Sequence, residues 1–302
     1  MNFAMRSAAI LLLAAAPVAH AQRAEPILLP RAVGASPALA PPARADALSF
    51  PFVVALVNAG GGVMCSGTLL NPRGKILTAA RCFCDPSSQP THVRIGRSVY
   101  ATDKTDRGEL TLQRELAPGA EFLDEGYCAK RGFDLAIAAT REPLDQALAE
   151  ILGGLHVATP KAPYPDPDFK RYPLGAYLRA FQSGKPVEVY TVGFGETEVA
   201  AKGGGAKRYA RLKVLPCAPG QPGCMLLMEY FAPEQDGAAD TCRGDSGGPV
   251  LEREDGTGWL LFAVTSRSLG DRRDKYCGGG GVYVSVLSPR VQDWLGRHID
   301  AH

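Results

Sequence analysis

The chain has 302 residues, 46% of them hydrophobic, and a formal charge of +2. That length fits one all-β domain behind leader segments, and the hydrophobic share is enough for a sizeable core. A charge so near zero excludes a dedicated nucleic-acid binder.

The first 21 residues have the form of a secretory signal. Arg6 supplies the positive start, residues 8–19 (AAILLLAAAPVA) the short apolar stretch, and Ala19-His20-Ala21 the small-x-small cleavage site, placing the mature start near Gln22. A membrane span needs about 20 apolar residues. No segment is that long and apolar, so the mature protein is expected off the membrane, secreted or periplasmic. Residues 22–47 are rich in Ala and Pro without periodicity and form a leader or pro-segment.

The folded domain is expected over 48–302. Short extended runs are expected at 52–57, 64–70, 75–79, 92–95 and 134–140. The stretch 161–173, KAPYPDPDFKRYP, holds four prolines and marks a connector over about 158–180. Further strands are expected at 187–194, 259–266 and 282–286. Many short strands with a break near the middle point to an all-β chain of two lobes. One helix is expected, over 288–300: Ser288 can cap it, Pro289 suits its first position, and Val291, Trp294, Leu295 and Ile299 share a face.

The eight cysteines are Cys65, Cys82, Cys84, Cys128, Cys217, Cys224, Cys242 and Cys277. An even count in an exported chain implies disulfides. Cys82 and Cys84 stand one residue apart with no histidine at ligand spacing, which does not suit zinc. No metal or other cofactor is expected.

The chemistry lies in Gly244-Asp245-Ser246-Gly247-Gly248-Pro249. A serine hydroxyl becomes a nucleophile only when a base takes its proton and donors stabilise the oxyanion. Flanking glycines allow the tight turn that presents backbone N–H groups. Together with Cys65-Ser66-Gly67-Thr68-Leu69, Leu77-Thr78-Ala79-Ala80-Arg81-Cys82, Asp134-Leu135-Ala136 and Asp240-Thr241-Cys242-Arg243, this loop resembles the trypsin/chymotrypsin-like serine peptidase family over roughly residues 49–300. The resemblance implies two six-stranded antiparallel β-barrels with a C-terminal α-helix. It implies Ser246 as nucleophile, Asp134 as the carboxylate orienting the base, and the Gly244 and Ser246 amides as oxyanion hole. Asp240, six residues before the serine, would floor a pocket for Arg or Lys side chains, with Gly281 leaving its wall open and Ser266 on the substrate strand. It also implies the disulfides Cys65–Cys82 and Cys242–Cys277. The remaining assignment is Cys84–Cys128 with Cys217–Cys224, which sequence alone does not establish.

The chain departs from the family at three places. Arg81 stands where the family has its histidine base. A guanidinium has no acceptor and a pKa above about 12, so it cannot take the serine proton. It can instead pair with a carboxylate, and Arg81 is expected to hold Asp134. Ser266-Arg267-Ser268 lacks the family's aromatic residue on the substrate strand. The family's processed N-terminus, whose ammonium pairs with the residue here numbered Asp245, has only Arg31-Ala32-Val33-Gly34-Ala35 as a counterpart. The first reading is a secreted pseudopeptidase that binds peptides or proteins through Arg or Lys side chains, as a monomer. The alternatives are a working trypsin-like endopeptidase with a relocated base (His92, His156, His298 or His302) or a substrate-supplied one, and a structural or adhesion protein.

Overall fold

The computed structural model describes residues 50, 52–71, 73–96, 98–99, 112–144, 186–196, 204–217, 229–232, 241–254, 258–269 and 280–299. The segments expected as signal and leader, the Pro-rich stretch 161–173, Asp240, Cys224, Cys277, His156 and His302 lie outside these residues.

Seven strands build the first sheet: β1 (Val53–Val57), β2 (Val63–Leu69), β3 (Lys75–Thr78), β4 (His92–Ile95), β5 (Leu112–Glu115), β6 (Glu121–Phe122) and β7 (Ala136–Ala139). They follow the order β5-β4-β1-β2-β3-β7-β6 and curl into a half-barrel. Six more close into a barrel: β8 (Val187–Gly193), β9 (Arg208–Pro216), β10 (Glu229–Ala232), β11 (Pro249–Glu254), β12 (Gly258–Ser268) and β13 (Gly281–Ser285), ordered β10-β13-β12-β11-β8-β9. Every pairing in both sheets is antiparallel. This is the trypsin-like fold, and the expected all-β, two-barrel class with one C-terminal helix holds.

Side-chain pattern explains the placement of the strands. In β1 all five residues are apolar and buried, as suits a strand flanked by β2 and β4 with packing on both faces. In β9 Ala210, Leu212 and Val214 are buried while Arg211 and Lys213 are exposed, the two-residue alternation of a barrel wall. One apolar cluster joins the lobes: Leu56, Ile76 and Leu77 of the half-barrel belong to it with Val192, Phe194, Leu251 and Leu261 of the closed barrel. A second cluster, including Val189, Leu212, Tyr230, Phe262 and Tyr283, fills the closed barrel. The helix α1 (Pro289–Ile299) starts where the Ser288 Oγ accepts the Val291 N–H at 3.3 Å, a side-chain cap, and lays Val291, Trp294 and Leu295 on the first cluster.

Two irregularities position the site. The β12–β13 register passes from Thr265↔Tyr283 to Arg267↔Val282, so Ser266 is the extra residue of a β-bulge. A bulge takes a residue out of the ladder and re-aims it. A 3-10 turn over Ala80–Phe83 follows β3 and carries Arg81. The disulfide Cys65–Cys82 ties this turn to β2, and Cys84–Cys128 ties its exit to the segment before β7. Cys217 and Cys242 are also disulfide-bonded.

Lys207 is a buried cation away from the cleft residues. Its Nζ donates to the Phe50 carbonyl at 2.7 Å and stands 5.6 Å from the Phe194 ring centroid. Burial pushes the ammonium down to about 7 from an ordinary 10.5. Between those values the unfolded chain binds more protons than the folded one, so stability rises with pH; below about pH 7 the cost of the buried charge is present in full. Urea denaturation at about pH 6.5 and about pH 9 is expected to show the wild type gaining stability relative to Lys207→Met. A pH-independent difference between the two would contradict this account.

Candidate active site

The loop 244–249 is held between the lobes by close contacts that leave no room for a side chain at Gly247 or Gly248. Gly247 has φ +86, and a Cβ there would lie 2.1 Å from Thr78 Oγ1 and 2.3 Å from the Ser66 carbonyl, on the half-barrel side. A Cβ on Gly248 would lie 2.4 Å from the Val192 carbonyl, on the closed-barrel side. The paired glycines after the serine therefore answer to the packing of the two lobes.

Ser66 of β2 secures the same junction. It is fully buried. Its N–H donates to the Ser246 carbonyl at 2.8 Å, its Oγ donates to the Gly244 carbonyl at 2.9 Å, and that Oγ accepts the Phe194 N–H at 2.9 Å. One residue thus holds the loop at Gly244 and at Ser246 and, through its hydroxyl, reaches the other barrel. Asp245, 2% exposed, accepts the Gly195 N–H at 2.7 Å and the Cys242 N–H at 2.8 Å. A Cβ on Gly193 or Gly195 would fall 2.1 Å or 2.5 Å from its side chain. The Gly-Phe-Gly segment after β8 is therefore a cradle for that carboxylate.

Arg81 and Asp134 meet beneath the cleft. The Arg81 N–H donates to Asp134 Oδ1 at 2.9 Å, and Arg81 Nε donates to Oδ2 at 2.5 Å. Arg81 Nη2 donates to the Ser266 Oγ at 3.2 Å and reaches the Tyr127 Oη at 3.5 Å. The Ser266 Oγ in turn donates to Asp134 Oδ2 at 2.7 Å. The pairing uses Nε and the backbone amide, leaving Nη1 without a hydrogen-bond partner among the described residues. Burial works against the Arg81 charge, but Asp134 and Tyr127 more than offset it and hold the guanidinium above its ordinary value. The side chains are 31% exposed for Arg81 and 0% for Asp134, so the cation is the end of the pair that solvent reaches.

The Ser246 Oγ donates to the Ser266 carbonyl at 3.1 Å, so the bulged residue meets Ser246 through its backbone and Asp134 through its side chain. A carbonyl accepts this bond without removing the proton. The Gly244 and Ser246 N–H groups donate to nothing among the described residues, while Asp245, Gly247 and Gly248 donate to the carbonyls of Cys242, Thr265 and Asp245. The two histidines among the described residues are engaged elsewhere: His92 Nδ1 with Thr91 Oγ1, and His298 with the Trp294 carbonyl and Glu121.

The structure thus brings together Ser246, Gly244, Asp134, Arg81 and Ser266. Asp240 lies outside the described residues. Gly281 sits beside the following residue, Thr241: a Cβ there would lie 3.1 Å from Thr241 Oγ1 and 2.5 Å from Tyr283 Oη. Four participants had no sequence expectation as to role. Ser66 lay inside a quoted motif without a role. Tyr127 carried no signal beyond preceding Cys128. Arg267 and Glu229 form a bidentate pair, with both nitrogen–oxygen distances 2.7 Å, exposed 10% and 0% respectively. An arginine after the apolar run LLFAV was the one hint of such a partner.

The trypsin family model matches residues 43–152. Over 252 residues the chain is 28% identical to a trypsin of Saccharopolyspora erythraea, an alignment covering 80% of this chain and 90% of that protein. It is 25% identical over 251 residues to the thrombin-like enzyme acutin of Deinagkistrodon acutus, covering 82% and 90%. It is 29% identical over 267 residues to serine protease 56 of Homo sapiens, covering 84% of this chain and 37% of that protein.

Two outcomes follow from the hydrogen bonding. Ser66→Ala strands a buried N–H and a buried carbonyl and is expected to cost about 1–3 kcal/mol in chemical denaturation. Arg81→Leu strips the fully buried Asp134 of its cation and is expected to cost about 3–5 kcal/mol, much of it recovered in Arg81→Leu/Asp134→Leu. A double variant no more stable than the single one would show that the buried charge is not the source of the loss.

Proposed function

From trypsin-like serine protease homology and the geometry around Ser246, we propose that the chain is an exported peptidase homologue that binds peptides and hydrolyses them poorly or not at all. The carrying observation is the Arg81–Asp134 pair on the turn beside the nucleophile loop. In this reading Arg81 occupies the position of the base. Asp134 has a permanent cation as its partner, and Ser246 keeps its proton. Losing one member of such a triad costs orders of magnitude, with a residual ~10³–10⁴ over water from binding and oxyanion donors. The ligands are peptides or proteins offering an Arg or Lys side chain to a pocket floored by Asp240. Export is supported by the signal-like leader and the disulfides, and no described helix is long and apolar enough to cross a membrane.

The second reading, a working endopeptidase whose base comes from elsewhere, is favoured by the unengaged Gly244 and Ser246 amides, the donors that acyl transfer needs. A chromogenic arginine substrate separates the two. Arg81→His is expected to raise kcat/KM by about 10²–10⁴-fold, the usual worth of a positioned general base, and Arg81→His/Ser246→Ala to remove the gain. Wild-type turnover equal to that of Arg81→His would overturn the impaired reading. Binding of benzamidine that survives Asp240→Ala would overturn the pocket assignment.

A further inference from the structure

The ion pairs around Ser266 are arranged with their charges sorted by depth. Asp134 and Glu229 are both 0% exposed, while their partners Arg81 and Arg267 are 31% and 10% exposed. Arg81 and Arg267 both reach the Ser266 Oγ, at 3.2 Å and 3.4 Å. The anions are shut in, and solvent meets the cations. Next to this face stand three uncharged donors: the Ser246 hydroxyl, whose bond to the Ser266 carbonyl is exchangeable, and the Gly244 and Ser246 N–H groups, which have no acceptor among the described residues. Arg81 Nη1 adds a charged donor without a partner.

Donors on a turn beside a cation of permanent charge suit an anion, and a planar carboxylate matches a guanidinium edge. An intact peptide bond brings only a neutral carbonyl to such a place. A peptide that ends there brings a full negative charge. We infer that this site selects peptides by their free C-terminal carboxylate, held by Arg81 with the Gly244 and Ser246 amides, so that the preferred ligand is the product of a cleavage and not its substrate. The inference rests on the peptide-binding reading above, which assigns the terminal side chain as basic. It adds that the chain end itself is recognised.

The test is fluorescence anisotropy of the full mature protein with a fluorescein-labelled hexapeptide ending in arginine, prepared as the free acid and as the C-terminal amide. The acid is expected to bind tighter by on the order of ten-fold, the worth of one hydrogen bond to a charged group. Arg81→Gln is expected to abolish the difference, and Arg81→Lys, which keeps the charge without the fork, to retain part of it. The acid–amide comparison on wild type needs no variant, so poor folding of either substitution leaves it decisive. Equal binding of acid and amide overturns the inference and leaves the peptide-binding reading standing. An acid preference that persists in folded Arg81→Gln overturns the role of Arg81. Failure of both forms to bind overturns the inference together with the reading beneath it.

Discussion

A carboxylate shut away from water has to be answered by donors, and at Asp134 the answer organises everything around it. Its oxygens take the Arg81 amide, the Arg81 guanidinium and the Ser266 hydroxyl. These donors come from two pieces of irregular backbone. The 3-10 turn places the amide and side chain of Arg81, and the bulge in β12 turns Ser266 out of its ladder. Burial of an unanswered charge costs several kcal/mol, so the arrangement is held by more than its attractive energy. Arginine suits this place because its Nε reaches Asp134 while its Nη2 reaches Ser266, and it never loses its charge.

The loop between the lobes is held by packing and hydrogen bonds. Ser66, Thr78 and the glycines at 247 and 248 lock the nucleophile segment into the junction through backbone and hydroxyl contacts alone. None of these contacts involves a proton transfer. The motif therefore reports how two barrels are joined. This separates what the loop needs to fold from what it needs to react.

Much of the framework was visible in the residues. The apolar runs at 52–57, 75–79 and 187–194 lie within a residue or two of β1, β3 and β8, since a strand buried on both faces advertises itself by composition. Ser288 and Pro289 marked the start of α1 by local capping chemistry. β9 was not anticipated, because Arg211 and Lys213 on alternate positions dilute the apolar signal of a strand with a solvent side. The site was legible only as far as motifs reach. Arg81 facing Asp134 could be expected from the resemblance and from charge complementarity. Ser66 meets Gly244 across 178 positions, Arg81 meets Tyr127 across 46, and Arg267 meets Glu229 across 38, and no local pattern encodes partners so far apart.

Two disulfides fasten the turn that carries Arg81 and link the site to its surroundings. Cys82, the next residue, is fastened to β2 directly before Ser66, and Cys84 is fastened to Cys128, the neighbour of Tyr127. Closing these loops removes conformations from the unfolded chain and leaves the cation little freedom to lose when it engages Asp134. Both fasteners act on the same short turn, and both require an oxidising compartment to form. Redox environment and electrostatic preorganisation are therefore coupled variables in this molecule: a chain retained among cytosolic thiols would keep the residues of the site while losing the covalent frame that aims them.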